Sequence, residues 1–135
     1  MKQKLLATLA TAQQYTLEIA GAMPEEGYAF RPADSIWTFG ELIHHIGYGI
    51  YWWEDNFIRG KKTAWEPPVP TVGKKATIDY VKKAFVDLQK TVEGSADGDE
   101  LVHGLWATLD HVTHHRGQAT VYLRCKGIAP AEYCW

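Results

Sequence analysis

Four stretches of this chain place apolar residues every three or four positions, and none alternates apolar with polar as a half-buried strand does. That periodicity commits the backbone to helices, each with an apolar stripe that another helix must cover. The first stretch runs from about Lys2 to Gly21 through Leu5, Leu6, Leu9, Ala12, Thr16 and Ile19, and Met23-Pro24 ends it. The second carries Phe39, Leu42, Ile43, Ile46, Ile50, Trp53 and Phe57 on one face. The third starts near Thr77, presents Ile78, Val81, Phe85, Leu88 and Val92, and stops at Gly94. The fourth begins at Asp99 or Glu100 and reaches Lys126, with Leu101, Leu105, Leu109, Val112, Ala119 and Leu123 along its apolar side. The expected architecture is an all-α, up-and-down type four-helix bundle, with residues 1–135 as one domain.

The punctuation between helices is equally readable. Thr38-Phe39-Gly40-Glu41 fits a capping box, in which the threonine hydroxyl and the glutamate each satisfy an orphan backbone N–H. Trp37 and Leu42 flank it as a hydrophobic staple, and Gly60 and Gly127 stand where C-caps are expected. Between Lys61 and Lys75, Pro67, Pro68 and Pro70 forbid a helix and favour an extended path. Ser95 to Asp99 reads as a polar turn.

Charge and cysteine content exclude several function classes. A net charge of -2 offers no basic surface for nucleic acid or an anionic membrane. Two cysteines, Cys125 and Cys134, make neither a disulfide framework nor a zinc ribbon. The opening MKQKLLATLATAQQY turns polar too soon for a signal peptide, and Glu41, His44 and His45 break the longest apolar stretch. The expectation is a cytoplasmic protein. Six tryptophans and seven tyrosines exceed what four short helices readily bury, which predicts a homodimer.

The histidines carry the functional signal. Of six, five fall in two stretches, His44-His45 and His111-His114-His115. His45 shares a side with Leu42, Gly49 and Trp52 at the border of the buried stripe, whereas His44 sits beside Glu41, Tyr48 and Tyr51 and points the other way. His111 and His115 stack one turn apart, on the side of Thr108, Gln118 and Tyr122, and His114 turns outward. Two imidazoles one turn apart, joined by a third from a facing helix, can meet one divalent ion and leave a position open for water. Rim histidines that pack on tryptophans or hydrogen-bond across helices give the same pattern. A zincin-type protease is excluded, because Val112, Thr113 and His114 between the pair include no glutamate.

Two blocks go further. His111-Val-Thr-His-His115-Arg116-Gly117-Gln118, followed by Tyr122-Leu123-Arg124 and Gly127, and Phe30-Arg31-Pro32 followed by Thr38-Phe39-Gly40-Glu41-Leu42-Ile43-His44-His45-Ile46, resemble the DinB family of four-helix-bundle metalloproteins. The resemblance covers nearly the whole chain. It implies a divalent transition metal (zinc, nickel or iron, with copper also suited to three imidazoles and water) on His45, His111 and His115. In that family the second-helix ligand precedes a small apolar pair, which matches His45-Ile46-Gly47 and not His44. The family includes metal-dependent thiol S-transferases and a thiol-dependent isomerase. The implied activity is therefore a metal-dependent transferase of the small-thiol S-transferase type, or a hydrolase, acting on a small thiol and an electrophilic small molecule. The alternative is a non-catalytic metal-binding or stress-response module, which the lack of a free acid–base residue favours. The family also points to a homodimer.

Other residues have two readings each. Glu41 is a capping residue or a base, and Gln118 orients a ligand or bonds across helices. Arg116 falls on the apolar side and is expected to find a carboxylate or carbonyl partner. Gly117 is expected to admit a neighbouring helix, and Cys125 to pack as a small residue. Cys134 reads as a free thiol near the terminus, and the lysine pairs at 61-62, 74-75 and 82-83 as solvated surface. Tyr48, Tyr51, Trp52 and Tyr122 line a pocket or the core.

Overall fold

The connection between the second and third helices decides the topology. In the computed structural model, which describes residues 1–135, the helices are α1 (Lys2–Ala22), α2 (Phe39–Phe57), α3 (Lys74–Gly94) and α4 (Asp99–Cys125), with a 3₁₀ turn at Glu25–Ala29. No strand is present. Gly104 of α4 meets the Phe57 backbone and Gly49 of α2 meets His111, so α2 and α4 are antiparallel. Gly47 faces Tyr80 and Val81 while Arg59 bonds the Thr91 hydroxyl, so α2 and α3 run the same way. Lys2 Nζ reaches the Ser95 carbonyl and Lys74 Nζ the Gly21 carbonyl, which makes α1 antiparallel to α3. The chain is the all-α four-helix bundle expected, but the parallel step from α2 to α3 departs from a simple up-and-down order.

A parallel step needs a connection that travels the length of the bundle. A helix the size of α2 is about 28 Å long at ~1.5 Å per residue, and an extended chain covers that in roughly nine residues. The segment 58–73 is longer, and its slack lies over α2. α2 packs on both α3 and α4, and α1 does the same from the opposite corner.

The core is the four apolar stripes brought together. Leu9, Ile19, Phe39, Ile43, Ile46, Ile50, Phe85, Leu88, Leu105 and Leu123 are fully buried. Each contributes about 1.5–3 kcal/mol of transfer free energy. The capping box of α2 is present: Glu41 N–H donates to Thr38 Oγ1 at 3.1 Å, and Thr38 N–H donates to Glu41 Oε2 at 2.8 Å.

Three boundaries differ from the sequence reading. α4 ends at Cys125 with Lys126 as its cap, and Gly127, expected to cap it, follows at φ +73. The cap of α2 is Ile58, not Gly60. Gly60 takes φ +70 two residues later, where it lets the Lys61 N–H return to the Asp55 carbonyl. α3 starts at Lys74 instead of Thr77, because Glu25 Oε2, from the distant 3₁₀ turn, accepts the Lys74 N–H at 2.7 Å. Lys74 is accordingly half-buried and tied to α1, unlike the solvated surface pair expected. No helix is long and apolar enough to cross a membrane.

Candidate metal centre

α2 and α4 cross where their small residues let them approach. Gly49 lies against the His111 ring, and a Cβ there would overlap its Cε1 and Nδ1. One turn away on α2 is His45, and one turn away on α4 is His115. The three half-buried rings converge with their Nε2 atoms inward: His45 to His115 is 2.9 Å and His45 to His111 is 3.1 Å. All three ligand atoms lie within 4.8 Å of one another.

Protons alone serve this arrangement poorly. His45 Nε2 carries either one hydrogen or one lone pair, so it can complete a good hydrogen bond to only one of its two neighbours. Burial drives all three imidazoles to the neutral form, helped at His45 and His111 by repulsion from neighbouring histidines. His45 is lowered to about 3 and His111 to about 4, and His115 is lowered in the same direction. Neutral imidazole is the ligating form. Three nitrogens about 2.0–2.1 Å from a tetrahedral ion stand about 3.3 Å apart, close to the separations found here. The donor set fits a divalent cation.

Gln118 supports one of these rings. Its Oε1 lies 2.8 Å from His115 Nδ1, and a carbonyl oxygen can only accept, so Nδ1 holds the hydrogen and Nε2 presents a lone pair to the cluster. The bond is within α4, not across helices. His111 Nδ1 is buried without a hydrogen-bond partner. Glu41 is engaged in the capping box, which is the role the structure gives it.

Three tryptophans roof the cluster. The Trp37 ring centroid is 4.4 Å from that of His45 and 6.0 Å from His115, Trp65 is 5.5 Å from His45, and Trp53 is 5.7 Å from His111. Trp65 comes from the α2–α3 connection, which is pinned on α2. The Trp52 indole N–H donates to the Thr63 carbonyl, Asn56 Oδ1 accepts the Thr63 N–H, and the Tyr48 hydroxyl accepts the Glu66 N–H. Tyr48 and Trp52 thus hold the strap in place, while Tyr51 faces α3 and bonds Asp87. The periodicity of α2 gives no hint of Trp65; only the parallel step routes it over the histidines.

Beside His115 opens a cavity of about 490 Å³ whose lining includes Ile36, Trp37, Val121, Tyr122 and Gln118. The Tyr122 hydroxyl donates to the Trp37 carbonyl at 2.7 Å and fixes this wall.

Several sequence expectations are corrected. His44 is buried at 3% exposure and stacks on Tyr80 at 4.4 Å, because α3 covers that side of α2. It stays outside the cluster. Arg116 is buried but has neither carboxylate nor carbonyl; its guanidinium lies over the rings of Tyr15 and Tyr133. Gly117 has no neighbour within 4 Å of a Cβ and admits no helix; Gly47, Gly49 and Gly104 make the close approaches. Cys125 is exposed, not packed, and Cys134 is an exposed free thiol as expected. His114 is exposed on α4.

The description "DinB superfamily" belongs to the family model that matches residues 8–119 of this chain. Among solved structures, the fold is similar to that of a DinB-like protein, YjoA, of Bacillus subtilis. The TM-score is 0.74 over 96% of each chain, at 16% identity. No curated protein matches the sequence.

Proposed function

The chain belongs to the DinB superfamily, and on that premise we propose that it is a metal-dependent transferase of the small-thiol S-transferase type, with His45, His111 and His115 as the ligands of one divalent ion. Zinc, nickel and iron all suit three imidazoles with a further position for a small ligand. When bound, such an ion supplies Lewis acidity that yields a thiolate or hydroxide at neutral pH without a dedicated base. That chemistry suits a site whose nearest sequence candidate for a base, Glu41, is consumed as a helix cap.

The residues of the chain divide the remaining work. Gln118 fixes the tautomer of His115, Gly49 makes room for His111, and Trp37 and Trp65 keep water from the rings. The cavity beside His115 offers an apolar seat for the electrophile, between Trp37 and Tyr122. The observation that carries this reading is the convergence of three neutral Nε2 atoms beside that cavity.

Elemental analysis of tag-free protein, followed by turnover of small thiols with electrophiles, tests it. Activity that chelation abolishes and metal restores supports the transferase. The capped Glu41 also favours a second reading, a metal-binding module without catalysis. Metal-loaded protein inert towards thiols, electrophiles and esters would leave that module standing.

Assembly as a homodimer belongs to the same proposal. Trp106 of α4 is 71% exposed, a large apolar side chain that a second copy would cover. Sedimentation velocity at micromolar concentration decides between dimer and monomer.

A further inference from the structure

On the face of α4 turned away from the histidines, between α4, α1 and the C-terminal segment, lies a second cavity of about 500 Å³. Two guanidinium-bearing residues, Arg116 and Arg124, line it. Arg116 is 4% exposed, and its Nη1 is buried with no hydrogen-bond partner. Its guanidinium carbon stands 4.7 Å from the Tyr15 ring centroid and 5.7 Å from that of Tyr133. The two rings offset part of the charge and fix its position, yet leave Nη1 without an acceptor. A buried cation lacking a full set of acceptors is costly, and the usual remedy is an anion. The one carboxylate on this wall, Glu132, is exposed and pairs with neither arginine within 4.0 Å.

Gly117 lines the cavity, and a Cβ there would meet nothing within 4 Å. A larger residue would fit the helix but fill the space. Thr113 and Thr120 line it as well, so α4 contributes two threonines and two arginines on either side of the bare backbone at Gly117.

We propose that this cavity is a binding site for a small oxyanion, the carboxylate or phosphate group of a small molecule, held between Arg116 and Arg124 over Gly117. Planar guanidinium forks match both groups through paired charge-assisted hydrogen bonds. The site is independent of the histidine cluster and of the activity proposed for it.

Calorimetric titration of the tag-free protein with inorganic phosphate and, separately, with succinate tests the site. At least one probe should bind saturably, and the tighter one identifies the group as phosphoryl or carboxylate. Arg124 is exposed, so Arg124→Gln should fold normally and weaken binding about ten-fold, the equivalent of ~1.4 kcal/mol. Gly117→Leu should abolish binding at unreduced thermal stability, because it fills the cavity on an open helix face. Glu132→Gln should tighten binding by removing the competing charge. His45→Ala should bind as the parent does, which separates this site from phosphate captured by a metal on the histidines. Absence of saturable binding by both probes, or unchanged binding in both Arg124→Gln and Gly117→Leu, overturns the proposal.

Discussion

Gly49 of α2 and His111 of α4 share one space: the imidazole of His111 occupies the volume that a side chain at residue 49 would need. The glycine costs helix propensity, about 1 kcal/mol against alanine, and the structure returns that as a ring seated deep enough to reach His45 at 3.1 Å. Gly49→Ala therefore sets a propensity gain against an overpacking cost of about 1–3 kcal/mol. The expected outcome is a folded protein whose stability changes little or falls modestly while His111 is displaced. Competition with a chromophoric chelator should show metal affinity reduced at least ten-fold, and parent-like affinity would contradict the placement of His111.

Gln118 offers a softer test of the same centre. Its bond to His115 Nδ1 selects the tautomer that leaves Nε2 free. Gln118 is exposed, so Gln118→Ala should leave the melting temperature nearly unchanged. Loss of a hydrogen bond behind a ligating histidine costs about 10–100-fold in metal affinity. A drop in that range without loss of helicity is the expected result of chelator competition and circular dichroism together.

Protonation provides a third. In the metal-free protein His45 is held at about 3 and His111 at about 4, against 6.5 for a free imidazole. Below pH 6.5 the unfolded chain therefore binds protons that the folded chain refuses, and stability falls with falling pH. The decline begins near pH 6.5 and continues until the folded-state histidines themselves protonate, near pH 4 and then 3. Urea denaturation of metal-free protein at pH 7.5, 6 and 5 should show it. The paired variant His45→Ala/His111→Ala should flatten the slope, and an unchanged slope would place the titrating groups elsewhere.

Much of this molecule is legible locally. The capping box of Thr38 and Glu41, the one-turn spacing of His111 and His115, and the apolar stripes depend on residues a few positions apart, where helical geometry fixes the outcome. What escapes a local reading is set by partners far along the chain. Glu25 caps α3 across 49 residues, so the helix begins earlier than its own sequence indicates. His44 is buried because Tyr80 of α3 lies on it, although its neighbours on α2 are polar or aromatic. Gly117 and Gly49 look alike as helical glycines, and only the crossing of α2 over α4 sets the His111 ring against Gly49 and leaves Gly117 open. Arg116 shows the same limit: its apolar position is readable, but its aromatic partners come from α1 and the C-terminal segment.

Trp65 is the residue whose role depends most on topology, and it supports the last prediction. It is 41% exposed, packs on His45, Tyr48 and Trp52, and reaches the cluster only because the parallel α2–α3 step carries the strap over α2. Since the core lies elsewhere, Trp65→Ala should keep the fold, with Thr63 and Glu66 still pinning the strap through Trp52, Asn56 and Tyr48. Removal of the indole admits water to His45, and burial is the largest cause of that ring's depressed pKa. The His45 pKa should therefore rise towards 6.5, with a smaller rise at His111, whose ring is further from Trp65 at 6.3 Å. Histidine proton shifts followed by NMR across the acid range in metal-free protein measure both. The acid limb of stability should shallow in parallel, since the folded state then accepts protons at higher pH. Unmoved His45 titration in a folded Trp65→Ala protein would show that Trp37 and Trp53 alone keep the cluster dry.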